Sequence, residues 1–386
     1  MALASLPVSS IPIQLPMRKI TVCSNTIVRI LSTLLIILFF LYVTSSCTFA
    51  YNPEKPHEPG NIILLIGDGM GFAQVKASSL FETGTEEGLS FQTFPVQAEV
   101  KTAAFGGVVT DSAAAATAMA TGHKVINGVI STALLGDFET LLEYYKRFGK
   151  RVGLVSTAHI THATPAAFGA HNPDRGNYDD IAADYLTQSR PHVLFGGGGK
   201  GMSPEEAETA GYVVVDTTAE LTGIDSETAG FVSGQFGVGH LPYSFDGLGS
   251  LPTLRQMTEK ALEILENDAD GFFMMIEAGR IDHASHGNDI IRTVYETIEL
   301  SDTISMLLEW ADGRNDTVIL LTADHETGGL TVTEETAIGV TPVVSWSRGG
   351  HTGVNVPLYA WGKNADLFDV GILDNTDIYR IIIENY

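Results

Sequence analysis

Short apolar runs of strand character alternate along this chain with helix-patterned segments, the signature of a mainly parallel sheet with helices on both faces. The strand-like runs are Ile62–Ile66, Val152–Ser156, Val193–Phe195, Phe272–Ile276, Val318–Leu321 and Val356–Ala360. Helical spacing falls on Phe72–Phe81, Ala113–Ala120, Leu254–Glu266, Ile290–Trp310 and Ile378–Glu384. In the segment from Ile290, the residues Ile291, Val294, Ile298, Leu300, Ile304, Leu307 and Leu308 approximate one apolar stripe. Gly196–Gly199 has no Lys-Ser/Thr after it and reads as a turn rather than a phosphate loop.

Residues 1–50 differ from the rest. They hold no acid, three bases (Arg18, Lys19, Arg29) and an apolar to weakly polar run from Ile30 to Val43. That run is short for a bilayer span, and its basic flank fits a secretory signal with a cleavage site at Thr48-Phe49-Ala50. An uncleaved membrane anchor is the alternative. Export to the periplasm, the exterior or the cell surface follows from either. Both cysteines, Cys23 and Cys47, lie in this leader, so cleavage after Ala50 leaves no disulfide to staple the fold. Residues 51–60 read as a linker and 61–386 as a single catalytic domain. Setting aside the three leader bases leaves 19 bases against 46 acids, a formal charge of about −27. Such a charge disfavours nucleic-acid backbones as partners.

Chemistry-bearing residues cluster just after the strands, where open α/β sheets bind ligands. Asp68 follows Ile62–Ile66 within Gly67-Asp-Gly-Met-Gly71, Glu277 follows Phe272–Ile276, and Asp324-His325 follow Val318–Leu321. Asp282 and His286, four apart, can face one ion from one turn of helix, and imidazole with carboxylate suits zinc. Glu277 then serves a harder cation such as magnesium. His351 sits among glycines that let its loop bend inward. After Val152–Ser156 come His162 and Thr164, an outer imidazole and a hydroxyl ligand. Arg175 stands alone in a polar loop.

Ser112 lies where the apolar, β-type approach Val108-Val109 gives way to an alanine-rich helix ending near Gly122. Read alone it is a helix cap. Set among the metal-type residues, it becomes a nucleophile at a helix N-terminus suited to phosphate. Asp111 reads as an orienting neighbour for Arg175. His57, His123, His171, His192 and His240 read as structural or surface residues.

Together Gly67–Gly71, Thr110-Asp-Ser-Ala-Ala114, His162-Ala-Thr-Pro165, Glu277 through His286, Thr322-Ala-Asp-His325 and Gly350-His-Thr-Gly353 closely resemble the alkaline phosphatase family, in its order and over residues 61–362. The resemblance implies an α/β/α sandwich with a central mostly parallel sheet, two Zn2+ ions and one Mg2+. It implies Asp282, His286 and His351 on the first zinc, and Asp324, His325, Asp68 and the alkoxide of Ser112 on the second. Asp68 would bridge to the magnesium with Thr164 and Glu277, and Arg175 would clamp phosphate. The implied reaction is hydrolysis of a broad range of phosphate monoesters through a phosphoserine at Ser112, which is then hydrolysed at the first zinc. A homodimer is the family's expectation. His162 and His283 stand where some bacterial members carry Asp and Lys, which bears on the third metal. Thr327 replaces a histidine that many members place near Asp324. A related two-metal diesterase, sulfatase or phosphomutase is the alternative enzyme, and a metal- or phosphate-binding protein without turnover is the non-enzymatic one.

Overall fold

The computed structural model describes residues 60–334 and 336–386, so the leader, most of the linker and His57 lie outside it. Ten strands form one sheet: β1 (Asn61–Gly67), β2 (Val96–Lys101), β3 (Arg151–His159), β4 (Val193–Gly198), β5 (Val213–Val215), β6 (Val232–Val238), β7 (Phe272–Ala278), β8 (Thr317–Thr322), β9 (Val356–Gly362) and β10 (Ile372–Asp374). Their order across the sheet is β10-β2-β9-β8-β1-β7-β3-β4-β6-β5. Only β9 runs against its neighbours; every other pairing in this sheet is parallel. All six strands expected from apolar runs are present. The central ones are buried along their whole length, as strands covered on both faces must be.

The principal helices are α1 (Phe72–Thr83), α2 (Ser112–Thr121), α3 (Leu141–Arg147), α4 (Ala163–Gly169), α5 (Leu254–Leu265), α6 (Arg280–His286), α7 (Ile290–Ala311) and α8 (Asn375–Asn385). They form two groups, α2 with α3, α4 and α8, and α7 with α1 and α5, which with the sheet make a three-layer α/β/α sandwich. No described helix is long and apolar enough to cross a membrane.

Three expectations need correction. The chain from Gly196 to Gly198 is strand, not turn; only Gly199 leaves the sheet, at φ +69°. A Cβ on Gly197 would lie 1.7 Å from the Gly239 carbonyl oxygen, so these glycines admit a neighbouring backbone into close contact. Val108 and Val109 are exposed loop rather than strand. Gly106 and Gly107, both at positive φ, turn the chain before them, and the Asn127 side chain donates to the Val109 carbonyl in place of a strand neighbour. The cap of α2 is Asp111, whose carboxylate accepts from the Ala114 N–H at 3.0 Å. Ser112 is the first helical residue, free of capping duty. The whole of α2 is buried, which explains its alanines: small side chains let α4 and α8 approach closely from different sides.

Candidate metal centre and nucleophile

The strand register brings the site together. Ile66 of β1 pairs with Thr322 of β8 on one side and Glu277 of β7 on the other, and Glu277 pairs with Ser156 of β3. Ser156, Glu277, Ile66 and Thr322 therefore lie at one level across four strands. Asp68 and Asp324 emerge just past that edge, while Glu277 stands at it. Gly69, at φ +75°, lets the turn after β1 lie against α6: a Cβ there would meet the Asp282 Cα at 2.8 Å. A two-residue ladder pairing Thr327 with His351 draws the glycine-flanked loop back beside His325.

Three groups of ligand-type atoms result. In the first, the Asp282 carboxylate lies 3.3 Å from His286 Nε2 and 3.6 Å from His351 Nε2. His286 Nδ1 donates to the Gly349 carbonyl at 2.6 Å and His351 Nδ1 to that of Thr110 at 2.9 Å. A carbonyl only accepts, so both Nδ1 atoms carry protons and both Nε2 atoms turn toward Asp282.

In the second group, His325 Nε2 lies 3.0 Å from Asp324, 3.6 Å from Asp68 and 3.4 Å from Ser112 Oγ. Thr327 fixes this ring. Its hydroxyl donates to Asp282 at 2.5 Å and accepts from His325 Nδ1 at 3.2 Å, so that Nε2 faces inward. The other Asp324 oxygen is held by the N–H groups of Gly69 and His325.

The third group comprises Asp68, Glu277 and His162, whose ligand atoms lie within 4.8 Å of one another, with Thr164 at the start of α4 beside His162. Ser156 Oγ donates to one Glu277 oxygen.

Both Asp68 oxygens, Glu277 Oε1, Asp324 Oδ2, Thr164 Oγ1 and His162 Nδ1 are buried without a hydrogen-bond partner. Orphaned polar atoms are rare in folded chains, and here they converge. Burial, joined by the charges of Asp324, Asp282 and Glu277, holds the Asp68 carboxyl well above its ordinary range. The hydrogen bond and charge of Asp282 push His286 up to about 9. Four buried carboxyl groups facing three imidazoles call for positive charge, and the donor set fits divalent cations: two imidazoles beside Asp282, one beside Asp324, and mostly oxygens around Glu277.

Arg175 reaches the same place. Its Nη1 donates to Asp111 at 3.0 Å and its Nη2 to His162 Nε2 at 3.1 Å. Ser112, Arg175, Asp68, His162, Glu277, Asp282, His286, Asp324, His325 and His351 thus stand in one constellation, with Thr164 two residues beyond His162. What the sequence left out is the support: Thr327 as a bridge, Ser156 on Glu277, and a ring cluster behind His162. There His240, expected to be structural or at the surface, lies 4.3 Å centre-to-centre from His283 and 4.8 Å from His159. His171 pairs with Glu143 and His192 Nδ1 accepts from the Val152 N–H, so these two are structural.

The alkaline phosphatase family model matches residues 60–212 and 198–345. Alkaline phosphatase 3 of Bacillus subtilis is 30% identical, the match covering 84% of this chain and 88% of the relative. The Escherichia coli alkaline phosphatase is 29% identical over 84% of this chain and 85% of its own. Among solved structures, the cold-active enzyme of a psychrophilic Shewanella superposes with a TM-score of 0.77 at 30% identity, covering 84% of this chain and 99% of the other. The enzyme of the Antarctic bacterium TAB5 follows at 0.76 and 29%, covering 85% and 98%.

Proposed function

Since the chain belongs to the alkaline phosphatase family and is a metal-dependent phosphate monoester hydrolase, we propose that it works through a phosphoserine on Ser112 with two zinc ions and one magnesium. Asp282, His286 and His351 would hold the first zinc; Asp324, His325 and Asp68 would hold the second, beside Ser112; Glu277, Thr164 and Asp68 would hold the magnesium, with His162 at its edge. Divalent ions there supply Lewis acidity to the phosphate and to the oxygens entering and leaving phosphorus. The single observation that carries this reading is Ser112 Oγ at 3.4 Å from the inward Nε2 of His325, within the convergence of orphaned ligand atoms.

Ser112 stands at the first position of α2, where free backbone N–H groups and the helix dipole favour the negative charge gathering on its oxygen. Arg175 offers two parallel N–H groups to two phosphate oxygens. Asp111 holds that guanidinium from below. Ser112 Oγ attacks phosphorus, an Oγ–P bond forms, the ester P–O bond breaks and the alcohol departs with a proton. Water then adds at phosphorus, the Oγ–P bond breaks, and Ser112 regains its hydrogen as inorganic phosphate leaves.

The third site carries a nitrogen donor, His162, among oxygens. A TAB5 enzyme variant with a histidine replaced by aspartate holds magnesium in its M3 site; in this chain His162 stands beside Asp68 and Glu277. The leader of residues 1–50 directs export or anchors the chain, the remainder from 61 acts as one catalytic domain, and two copies pair. Substitution Ser112→Ala tests the reading: acid-quenched phosphoenzyme disappears and turnover collapses, whereas wild-type-like turnover overturns it.

A further inference from the structure

We infer that Glu326 is a positioning residue that builds the first ligand group, by holding the loop that supplies His351 and the carbonyl behind His286. The inference rests on the reading that Asp282, His286 and His351 face one divalent ion. That group is the most open of the three: His286 is exposed and His351 half-buried, whereas Asp68, Asp324 and His325 are enclosed. Asp324 and His325 follow β8 directly, but His351 lies in a loop flanked by Gly349, Gly350 and Gly353. Glycines leave such a loop many conformations, so its place must be set by bonds from outside it.

Glu326 supplies those bonds. It follows His325, is 4% exposed, and takes four hydrogen bonds on its two oxygens. Oε1 accepts from Gln74 Nε2 of α1 at 3.0 Å and from the Leu330 N–H at 3.1 Å. Oε2 accepts from the Gly329 N–H at 3.2 Å and from the Thr352 hydroxyl at 2.5 Å. A buried carboxylate is tolerated when its lone pairs are met in this way. The Glu326 backbone is also paired with Thr352, so main chain and side chain grip the residue next to His351. The turn after β1 makes room for it: a Cβ on Gly71 would lie 2.4 Å from Glu326 Cγ.

The chain wraps this carboxylate in a turn with Gly328 at φ +95° and Gly329 at φ +58°. The outer side of the turn carries the loop. Gly328 N–H donates to the Gly350 carbonyl at 2.9 Å, and the Gly328 carbonyl accepts from the Ser347 and Arg348 N–H groups, both at 3.1 Å. Between these contacts and Thr352 lie His351 itself and Gly349, whose carbonyl accepts from His286 Nδ1. Both imidazoles of the first group are thus placed by chain hung on one turn. Asp282, the third member, is held by Thr327, whose carbonyl accepts from the same Gln74 Nε2 at 2.7 Å. Asp324 and Glu277 are held by other donors, so the loss of Glu326 falls mainly on the first group.

Loading the full chain with 113Cd lets NMR follow each occupied site as its own line, and the line missing from His351→Ala identifies the first. Glu326→Gln turns an NH2 group toward two donors. It is expected to weaken the ion behind that line by about 10–100-fold, the usual range for losing a group that orients ligands, and to leave the other lines in place. Thr352→Val removes one donor at the half-buried loop, which spares the fold if Glu326→Gln does not form stably. It is expected to weaken the same ion by about tenfold, with Thr352→Ser restoring it, and the zinc dependence of activity should move by the same factor. Equal weakening of every line, or an unchanged first line in whichever of Glu326→Gln and Thr352→Val folds, overturns the role of Glu326. No line lost in His351→Ala overturns the assignment of the first ion itself, and the role of Glu326 with it.

Discussion

His286 Nε2 and His351 Nε2 face each other at 3.0 Å, each with its Nδ1 proton committed to a backbone carbonyl. Two such nitrogens beside the Asp282 carboxylate converge on one point, where a divalent cation would draw all three groups together. Removing divalent ions should therefore abolish activity and also loosen the fold. Ligand at a thousandfold excess over its Kd stabilises by about 4 kcal/mol, which for a chain of this size is a melting shift of roughly 5–10 °C. Scanning calorimetry before and after chelation, with zinc and magnesium added back, checks it; an unchanged melting point contradicts it.

Thr327 ties Asp282 to His325 by one hydroxyl. Thr327→Val keeps the shape but leaves a buried acceptor and a ring N–H unpaired. We expect a loss of about 10–100-fold in metal affinity or kcat/KM, the usual result of losing an outer-shell partner, and near-complete rescue by Thr327→Ser. Metal titration alongside steady-state kinetics reads both.

Asp111 caps α2 with one oxygen, while the other accepts from the Gly128 N–H and from Arg175. Asp111→Asn retains a capping side chain and removes the charge opposite the guanidinium. Inhibition by inorganic phosphate should weaken by about tenfold, the lower end of the roughly 1.5–3 kcal/mol that a hydrogen bond to a charged group contributes, with little change in melting point. A large fall in melting point would mean that the cap was lost instead.

His171 is buried, which works against its protonation, but the hydrogen bond and charge of Glu143 outweigh this and push it up to about 9. The folded chain thus holds this proton more firmly than the unfolded chain, whose histidine titrates near 6.5. The resulting stability is full below pH 6.5 and is lost as pH rises through 9, an effect on the order of 2–3 kcal/mol. Glu143→Gln keeps the cap of α3 and removes the charge. Unfolding midpoints of the two proteins should differ at pH 6 and converge by pH 10; a constant gap contradicts the assignment.

Gly197→Ala drives a methyl group into the Gly239 carbonyl. The expected cost is about 3 kcal/mol or more, at the upper end for overpacking. Gly223→Ala, with open space around it, should change denaturant midpoints little by comparison.

Long apolar runs made the central strands legible, because a strand covered on both faces has no polar alternation to confuse it. The missed strands lacked that signal. β2 alternates buried Val96, Ala98 and Val100 with outward polar residues, β6 is broken by Gly234 and Gly237, and β5 and β10 span three residues each. The ligand residues were legible because each sits where its strand or helix ends. Their supports were not. Thr327 meets Asp282 across 45 positions and His240 meets His159 across 81, so no local pattern announces either contact. Only the arrival of separate loops at one sheet edge creates them.

The burial of α2 has a price in evolvability. A helix with one face in water can drift in sequence along that face; α2 has none, and its ten residues from Ser112 to Thr121 are all enclosed. Any larger side chain along it must push the rod, and the rod carries the serine oxygen. Variation that damages hydrolysis is therefore expected far from the site, at Ala116 or Ala120, in residues that touch neither phosphate nor metal.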